Sequence, residues 1–386
     1  MYSSSVTFKF IVILSVLTIL NMAFFGITWH KKSQYYACSV DNVIDGTAMY
    51  IRKNGALSLE ETLPESCRKF EDKTDTEESF NTAVKKLVDF CRSTNKSSKT
   101  AAANISNPVI ILFTTWPRDA SKDHIHTLTL RNWANLKPKV EVVVFTNSTE
   151  DEKLAKSFGA RTLPILRHAG GGAPVLKWMF LTVMKTHPSS KLFGYVNADI
   201  LFTNKLTDTL EAVLRIKNTS KPIFLVGRRI NVEHVLPNET DSFSSLEKIS
   251  KERGKLFYPN AEDYFITNAA FPWKKIIDVV IGRLAYDNWI VGHVICNMRI
   301  DVIDLSETVL AVHQTTKNGG NYEGFKNKHA HYNNALFKKL RIIPIFETGF
   351  TICSQELTKY NLCGDIYVFK RQSFWEKCKC PTTVLF

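Results

Sequence analysis

An apolar run, Phe193-Gly-Tyr-Val196, ends in Asn197-Ala-Asp199, and a second apolar run, Ile200-Leu-Phe202, resumes at once. A buried strand stopping there delivers two short polar side chains at its carboxyl end, where open α/β sheets hold their ligands. If strand geometry persists, Asn197 and Asp199 share a face and address one ligand together. A carboxylate beside an amide carbonyl suits a hard divalent cation carrying a phosphorylated substrate. The plainer alternative is a turn that contains Asn and Asp.

The elements needed to place that stretch are legible around it. Val109–Trp116 is β-rich and predicts a buried strand. Ile125, Leu128, Trp133 and Leu136 mark one helical face that Pro138 stops. Val140–Phe145 predicts a second strand, and Arg161–Leu166 a short third. Gly170-Gly-Gly172 allows a mobile or tightly turned loop. Pro174 is expected at a first helical position, opening a helix whose apolar face is Val175, Leu176, Met179, Phe180, Val183 and Met184. Then come the Leu192–Val196 strand, a helix carrying Leu206, Leu210, Val213 and Leu214, and a strand over Ile223–Val226. Strand and helix alternate with short connections, which predicts a doubly wound, mostly parallel α/β sheet flanked by helices. No GxGxxG follows the first strand, and neither a GxxxxGK[ST] loop nor a Gly-x-Ser-x-Gly elbow occurs. Dinucleotide dehydrogenases, P-loop enzymes and α/β hydrolases thereby lose their main sequence support.

The chain has 386 residues, 44% of them hydrophobic and 23% charged, an ordinary globular balance. Its N-terminus is not ordinary. Phe10–Trp29 is a 20-residue run without a charge, long enough to span a bilayer as a helix. It is longer than the apolar region of a cleaved signal peptide, so an uncleaved signal anchor is expected. Lys31 and Lys32 outweigh Lys9 and argue mildly for a cytosolic body. Against that stand five N-x-Ser/Thr sequons, at Asn95, Asn104, Asn147, Asn218 and Asn238. Eight cysteines lie beyond the anchor (Cys38, Cys67, Cys91, Cys296, Cys353, Cys363, Cys378 and Cys380). Clustered outside the expected core, they predict disulfide staples in a secretory-pathway protein. Cys378-Lys-Cys380 lacks the spacing of a zinc pair. A net charge of +13 is spread along the chain, without the basic block and interleaved aromatics of a nucleic-acid binder.

The expected organisation is a cytosolic tail (1–9), a transmembrane anchor (10–29), a lumenal stem (30–107), a core domain (108–345) and a Cys-rich extension (346–386).

From about Val109 to Tyr322, the order of features resembles the GT-A glycosyltransferases, and the glycogenin-like branch has a comparable run. The residues that carry the resemblance are Gly172-Ala-Pro-Val-Leu-Lys-Trp-Met-Phe180 followed by Phe193–Leu201, similar to a Lys-bearing helix leading into a DxD strand. The resemblance implies a Rossmann-like GT-A fold on a type II Golgi or ER anchor, a nucleotide-sugar donor, a glycan or glycoconjugate acceptor, and Mn2+ or Mg2+. It implies Asp199 as metal ligand, a late His, here His313, as a second one, and Lys177, with Arg283 as substitute, steadying the donor diphosphate. Asn197 replaces the family's first carboxylate, and the resemblance leaves it a hydrogen bond to the ribose. Aromatic faces beside carboxylates in Glu262-Asp-Tyr-Phe265 and Ile281–Trp289 suit a sugar, which nominates Tyr286, Trp289 and Tyr264. An inverting transferase also needs a general base, for which Asp287 comes first and Asp263 second. Loops 170–172 and 317–324 are expected to close over the donor, and a homodimer is compatible with the reading. Two other classes stay open: a GT-A-like binding protein without turnover, motivated by Asn197, and a metal-dependent nucleotidyltransferase or phosphoesterase.

Overall fold

The computed structural model describes residues 35–36, 51–52, 108–315, 327–361 and 364–381. The anchor, the stem apart from residues 35–36 and 51–52 and including its expected helix, and the segment 317–324 lie outside the described residues. No helix among the described residues is long and apolar enough to cross a membrane. The chain divides into two compact units, Met1–Ala103 with Tyr360–Tyr367 and Asn104–Lys359 with Val368–Phe386. In the first, Tyr35–Tyr36 pairs antiparallel with Ile51–Arg52. The second unit carries the chemistry.

Its strands are β1 (Ile110–Thr114), β2 (Val140–Phe145), β3 (Arg161–Leu163), β4 (His168–Ala169), β5 (Ala173–Pro174), β6 (Leu192–Val196), β7 (Ile200–Phe202), β8 (Phe224–Val226), β9 (Ile230–Glu233), β10 (Lys255–Leu256), β11 (Tyr264–Asn268), β12 (Val302–Asp304), β13 (Ala311–Thr315), β14 (Glu356–Tyr360) and β15 (Ile366–Lys370). Its α-helices are α1 (Asp123–Ala134), α2 (Thr149–Ser157), α3 (Leu176–Thr186), α4 (Lys205–Ile216), α5 (Phe243–Arg253), α6 (Tyr286–Cys296) and α7 (Tyr332–Lys339).

A nine-stranded sheet runs in the order β15-β14-β12-β8-β11-β6-β1-β2-β3. Neighbours are parallel through β6-β1-β2-β3 and through β14-β12-β8. β11 is antiparallel to both of its neighbours, within a sheet that is mostly parallel as expected. Both faces of the sheet are covered, as a doubly wound fold requires. Ile111, Phe113, Val143 and Phe145 pack with α3 and α6, whereas Ile110, Leu112, Val142 and Val144 pack with α1 and α4. Successive strand residues thus alternate between the two cores.

Two expectations need correction. Pro174 does not open a helix: it sits in β5, paired with His168 of β4, and α3 begins two residues later at Leu176. The fixed proline φ suits an extended residue as well as a first helical turn, so the sequence signal is ambiguous there. Four of the cysteines pair as expected, in Cys296–Cys380 and Cys353–Cys378. They are not peripheral staples, however, because Cys296, Cys353 and Cys378 are buried within the α3/α6 core.

A second, four-stranded sheet was not foreseen. Its order is β10-β9-β13-β7, and it takes up the chain directly after the Asn197–Asp199 stretch, whose preceding strand β6 lies in the large sheet. β7 is its edge strand, pairing only with β13. An edge strand leaves backbone groups without partners. Here α1 supplies them from one face: Asn132 Nδ2 donates to Phe202 O (2.9 Å) and Asn132 Oδ1 accepts from Phe202 N–H (2.8 Å). Trp133 Nε1 donates to Ile200 O (2.9 Å) and Thr129 Oγ1 to Ala198 O (2.8 Å). The helix face read as apolar therefore carries a polar seam that holds residues 198–202 in place.

Candidate metal and acid cluster

Val196 pairs with Tyr264 across the β6–β11 antiparallel register, which brings the next residues, Asn197 and Asp263, side by side. Asn197 N–H donates to Asp263 O at 2.9 Å. The chain then turns, with Ile200 N–H bonded to Asn197 O at 3.2 Å. That turn ends strand alternation, so Asn197 and Asp199 do not share a face as expected. They head two different arrays.

Asp199 reaches the small sheet, where its Oδ2 lies 3.1 Å from His313 Nε2. His313 stands on β13 opposite Asn231 of β9, and its Nδ1 is 3.2 Å from Asn231 Oδ1. Gln314 N–H donates to Asp199 O at 3.0 Å, and the Gln314 side chain donates to Thr129 Oγ1 at 2.8 Å. Loss of water raises the Asp199 carboxyl, but the charge and hydrogen bond of His313, with Arg229 beyond, outweigh that and hold it below its usual range. Its other oxygen, Oδ1, is buried without a hydrogen-bond partner. A buried anionic oxygen without a donor is costly, and a cation relieves it.

The second array starts from Asn197. Its Oδ1 accepts from Tyr195 OH at 2.9 Å, and its Nδ2 donates to Asp263 Oδ1 at 2.8 Å. Arg229, itself 4% exposed, places Nη1 2.6 Å from both oxygens of Asp263. Asp287 lies in the first turn of α6, near the Asp263 and Arg229 charges. Burial pushes its carboxyl up from 3.8 to about 6; the Asn288 backbone amide opposes this and the Asp263 charge adds to it. Yet Asp287 is only half-buried by solvent contact. Glu262, beneath it, is 2% exposed, accepts from Asn288 Nδ2 at 2.8 Å, and is raised well above its usual range by burial and then by Asp287.

The remaining nominated residues lie elsewhere. Tyr286 is 6% exposed and bonds Tyr195, so it braces the second array rather than offering a face to a sugar. Trp289 is in the core, stacked on His293 with centroids 4.9 Å apart. Tyr264 is wholly buried against Phe202. Neither ring can stack on a ligand, because the aromatic spacing that suggested sugar contacts is core packing. Lys177 Nζ pairs with Asp278 at 2.5 Å, and Arg283 donates to Gly170 O at 3.1 Å, so the latter fastens the glycine loop. Neither cation makes a described bond to Asp199 or His313. Sequence reasoning missed Arg229, Asn231 and Glu262. The Arg228-Arg229 pair, one residue beyond strand β8, was the available signal.

Among the described residues, no group of three or more His, Cys, Asp or Glu is placed to hold an ion. Asp199 and His313 nevertheless suit a divalent cation: an unpartnered buried carboxylate oxygen stands beside an imidazole. An ion there would complete its shell from water or from substrate oxygens.

No family model matches the sequence, and no curated protein matches it. Among solved structures, CMP:2-keto-3-deoxy-manno-octonic acid synthetase complexed with CTP is similar at 13% identity and a TM-score of 0.24 over 32% of this chain, which spans about half (53%) of that protein. Glucosyl-3-phosphoglycerate synthase from Mycobacterium tuberculosis, in complex with Mg2+ and uridine-diphosphate, is similar at 12% identity and a TM-score of 0.32, over 70% of this chain and 89% of that one. The inositol-1-phosphate CTP transferase from T. maritima is similar at 11% and 0.30, over 56% and 95%. Likenesses this distant carry no argument about activity, which rests on the site itself.

Proposed function

We propose that this protein is a membrane-anchored glycosyltransferase of the Golgi or ER lumen. It would move a sugar from a nucleoside-diphosphate donor to a glycan or glycoconjugate acceptor, assisted by Mn2+ or Mg2+. The observation that carries this reading is the pairing of Asp199 with His313 at 3.1 Å, one Asp199 oxygen being left without a partner. In it, Asp199 and His313 are the residues that would hold the cation, which when bound would supply positive charge beside the donor diphosphate. Asp287 receives the proton of the attacking acceptor hydroxyl. Its raised carboxyl and open side suit a base working near neutrality. Asp263 does not share that task, because Arg229 and Asn197 already occupy both its oxygens.

A nucleotidyltransferase or phosphoesterase would use the same Asp199–His313 pair, and it is separated by its product. The test is to incubate the purified full-length chain in detergent with a panel of nucleotide sugars, with Mn2+ or with a chelator. Chelator-sensitive release of nucleoside diphosphate from one donor is expected, and Asp199→Ala should abolish it while melting like the wild type. Release of pyrophosphate or phosphate instead favours the second reading, and turnover retained by Asp199→Ala refutes both.

A further inference from the structure

Asn231 and Arg229 fix the Nδ1 of His313 as a hydrogen-bond donor. Arg229 Nε donates to the Asn231 side chain at 3.1 Å. A guanidinium nitrogen only donates, so the receiving atom is the amide oxygen and not its nitrogen. That same oxygen lies 3.2 Å from His313 Nδ1. Nδ1 is therefore the donor, and Nε2 is the nitrogen aimed at Asp199 Oδ2, 3.1 Å away. The backbone enforces the contact, since Asn231 and His313 are register partners in adjacent parallel strands. Arg229 is itself immobilised, gripped by Asp263 on one side and lying 4.4 Å over the Phe257 ring on the other.

We propose that Asn231 is a positioning residue that holds a hydrogen on His313 Nδ1, so that Nε2, which bonds Asp199 in the absence of a cation, is the nitrogen left to ligate one. Arg229 orients the Asn231 amide. The inference rests on the metal-assisted reading above and extends it to residues that touch neither cation nor substrate. Histidines that bind metals usually donate their other N–H to a fixed acceptor, and losing that acceptor costs about 10–100-fold in metal affinity.

The test measures Mn2+ binding to the full-length chain by the paramagnetic resonance signal of free Mn2+. Asn231→Asp keeps an acceptor for both donors and should bind within about threefold of wild type, whereas Asn231→Leu should bind about 10–100-fold more weakly. A second measurement needs no variant at position 231. Protein labelled with 15N-histidine, with His313 assigned by loss of its signals in His313→Gln, should show a protonated Nδ1. Equal Mn2+ affinity in wild type and Asn231→Leu overturns the proposal alone, as does a bare Nδ1. Absence of Mn2+ binding in the wild type overturns the metal reading and this proposal with it.

Discussion

Asn197 stands where the resemblance expects a carboxylate, and its neighbours explain why. Its oxygen accepts from Tyr195 and its nitrogen donates to Asp263, so both ends of the amide are engaged within the protein. An aspartate there would set a carboxylate oxygen about where Nδ2 now lies, 2.8 Å from Asp263 Oδ1. Two carboxylates at that distance cannot both ionise without a large penalty. Asn197→Asp should therefore lower the melting temperature at neutral pH, by roughly 2–8 °C for about 1–2 kcal/mol, with the deficit shrinking as pH falls. It should not tighten Mn2+ binding. Tighter binding with unchanged melting would show that Asn197 is a weakened ligand and not a bridge.

Asp287 gives a prediction with a definite sign. Its folded carboxyl titrates at about 6 against 3.8 unperturbed. A base must be ionised, so kcat should rise with pH up to a plateau above about 6, and Asp287→Asn should lose roughly 10²–10⁴-fold of that plateau. Stability runs the other way. The folded state binds this proton more tightly than the unfolded chain, so the contribution is present below the unperturbed value and is lost as pH rises through about 6. Melting curves of wild type and Asp287→Asn should differ more at pH 7 than at pH 4, with the asparagine variant the more stable at pH 7.

At the scale of elements, the strands and helices were legible where hydrophobic period and length agreed. Val140–Phe145 and Leu192–Val196 fall at the expected residues because each is a short apolar run between turn-forming residues. The strand order was not legible. β11 inserts antiparallel between β8 and β6, and the small sheet joins Asp199 to His313 across a separation of 114 residues. Local periodicity reports burial, not which distant strand does the burying. For the same reason Trp289 and Tyr264 looked like ligand platforms: a buried ring and a sugar-stacking ring have the same sequence. Asp199 was singled out because a short polar residue after an apolar run marks a strand end, Asp287 because a carboxylate lies between aromatics, and His313, in mid-strand, only through the resemblance. Arg229 and Asn231 were not, since their significance lies in whom they meet. The α1 seam carries its own prediction. Asn132→Leu keeps bulk but leaves the N–H and C=O of Phe202 buried without partners. At about 1–3 kcal/mol for each group, the loss should be about 2–6 kcal/mol of stability in chemical unfolding. Mn2+ affinity should fall as well, because the backbone beside Asp199 loses its clamp.

For the whole molecule, the decisive question is the compartment, and the disulfides bear on it directly. Cys296 is on α6, the helix that carries Asp287, and its bridge to Cys380 spans 84 residues and encloses the 25-residue span of Cys353–Cys378. Closing such loops removes disorder from the unfolded chain, and a single bridge typically contributes about 2–5 kcal/mol. A reducing cytosol would keep these thiols open, whereas a lumenal body would form both bridges. Three of the sequon asparagines, Asn147, Asn218 and Asn238, are exposed and available for glycosylation in that compartment. In protein drawn from a eukaryotic secretory membrane, Cys296, Cys353, Cys378 and Cys380 should resist alkylation until a reductant is added, and glycosidase treatment should lower the apparent mass. Reduction should then lower the melting temperature by roughly 5–15 °C. Ready alkylation of all four without reductant, and no mass shift, would place the body on the cytosolic side, as Lys31 and Lys32 alone would argue. The Asp199–His313 site would keep its chemistry there, but its acceptor would have to be sought among cytosolic glycoconjugates.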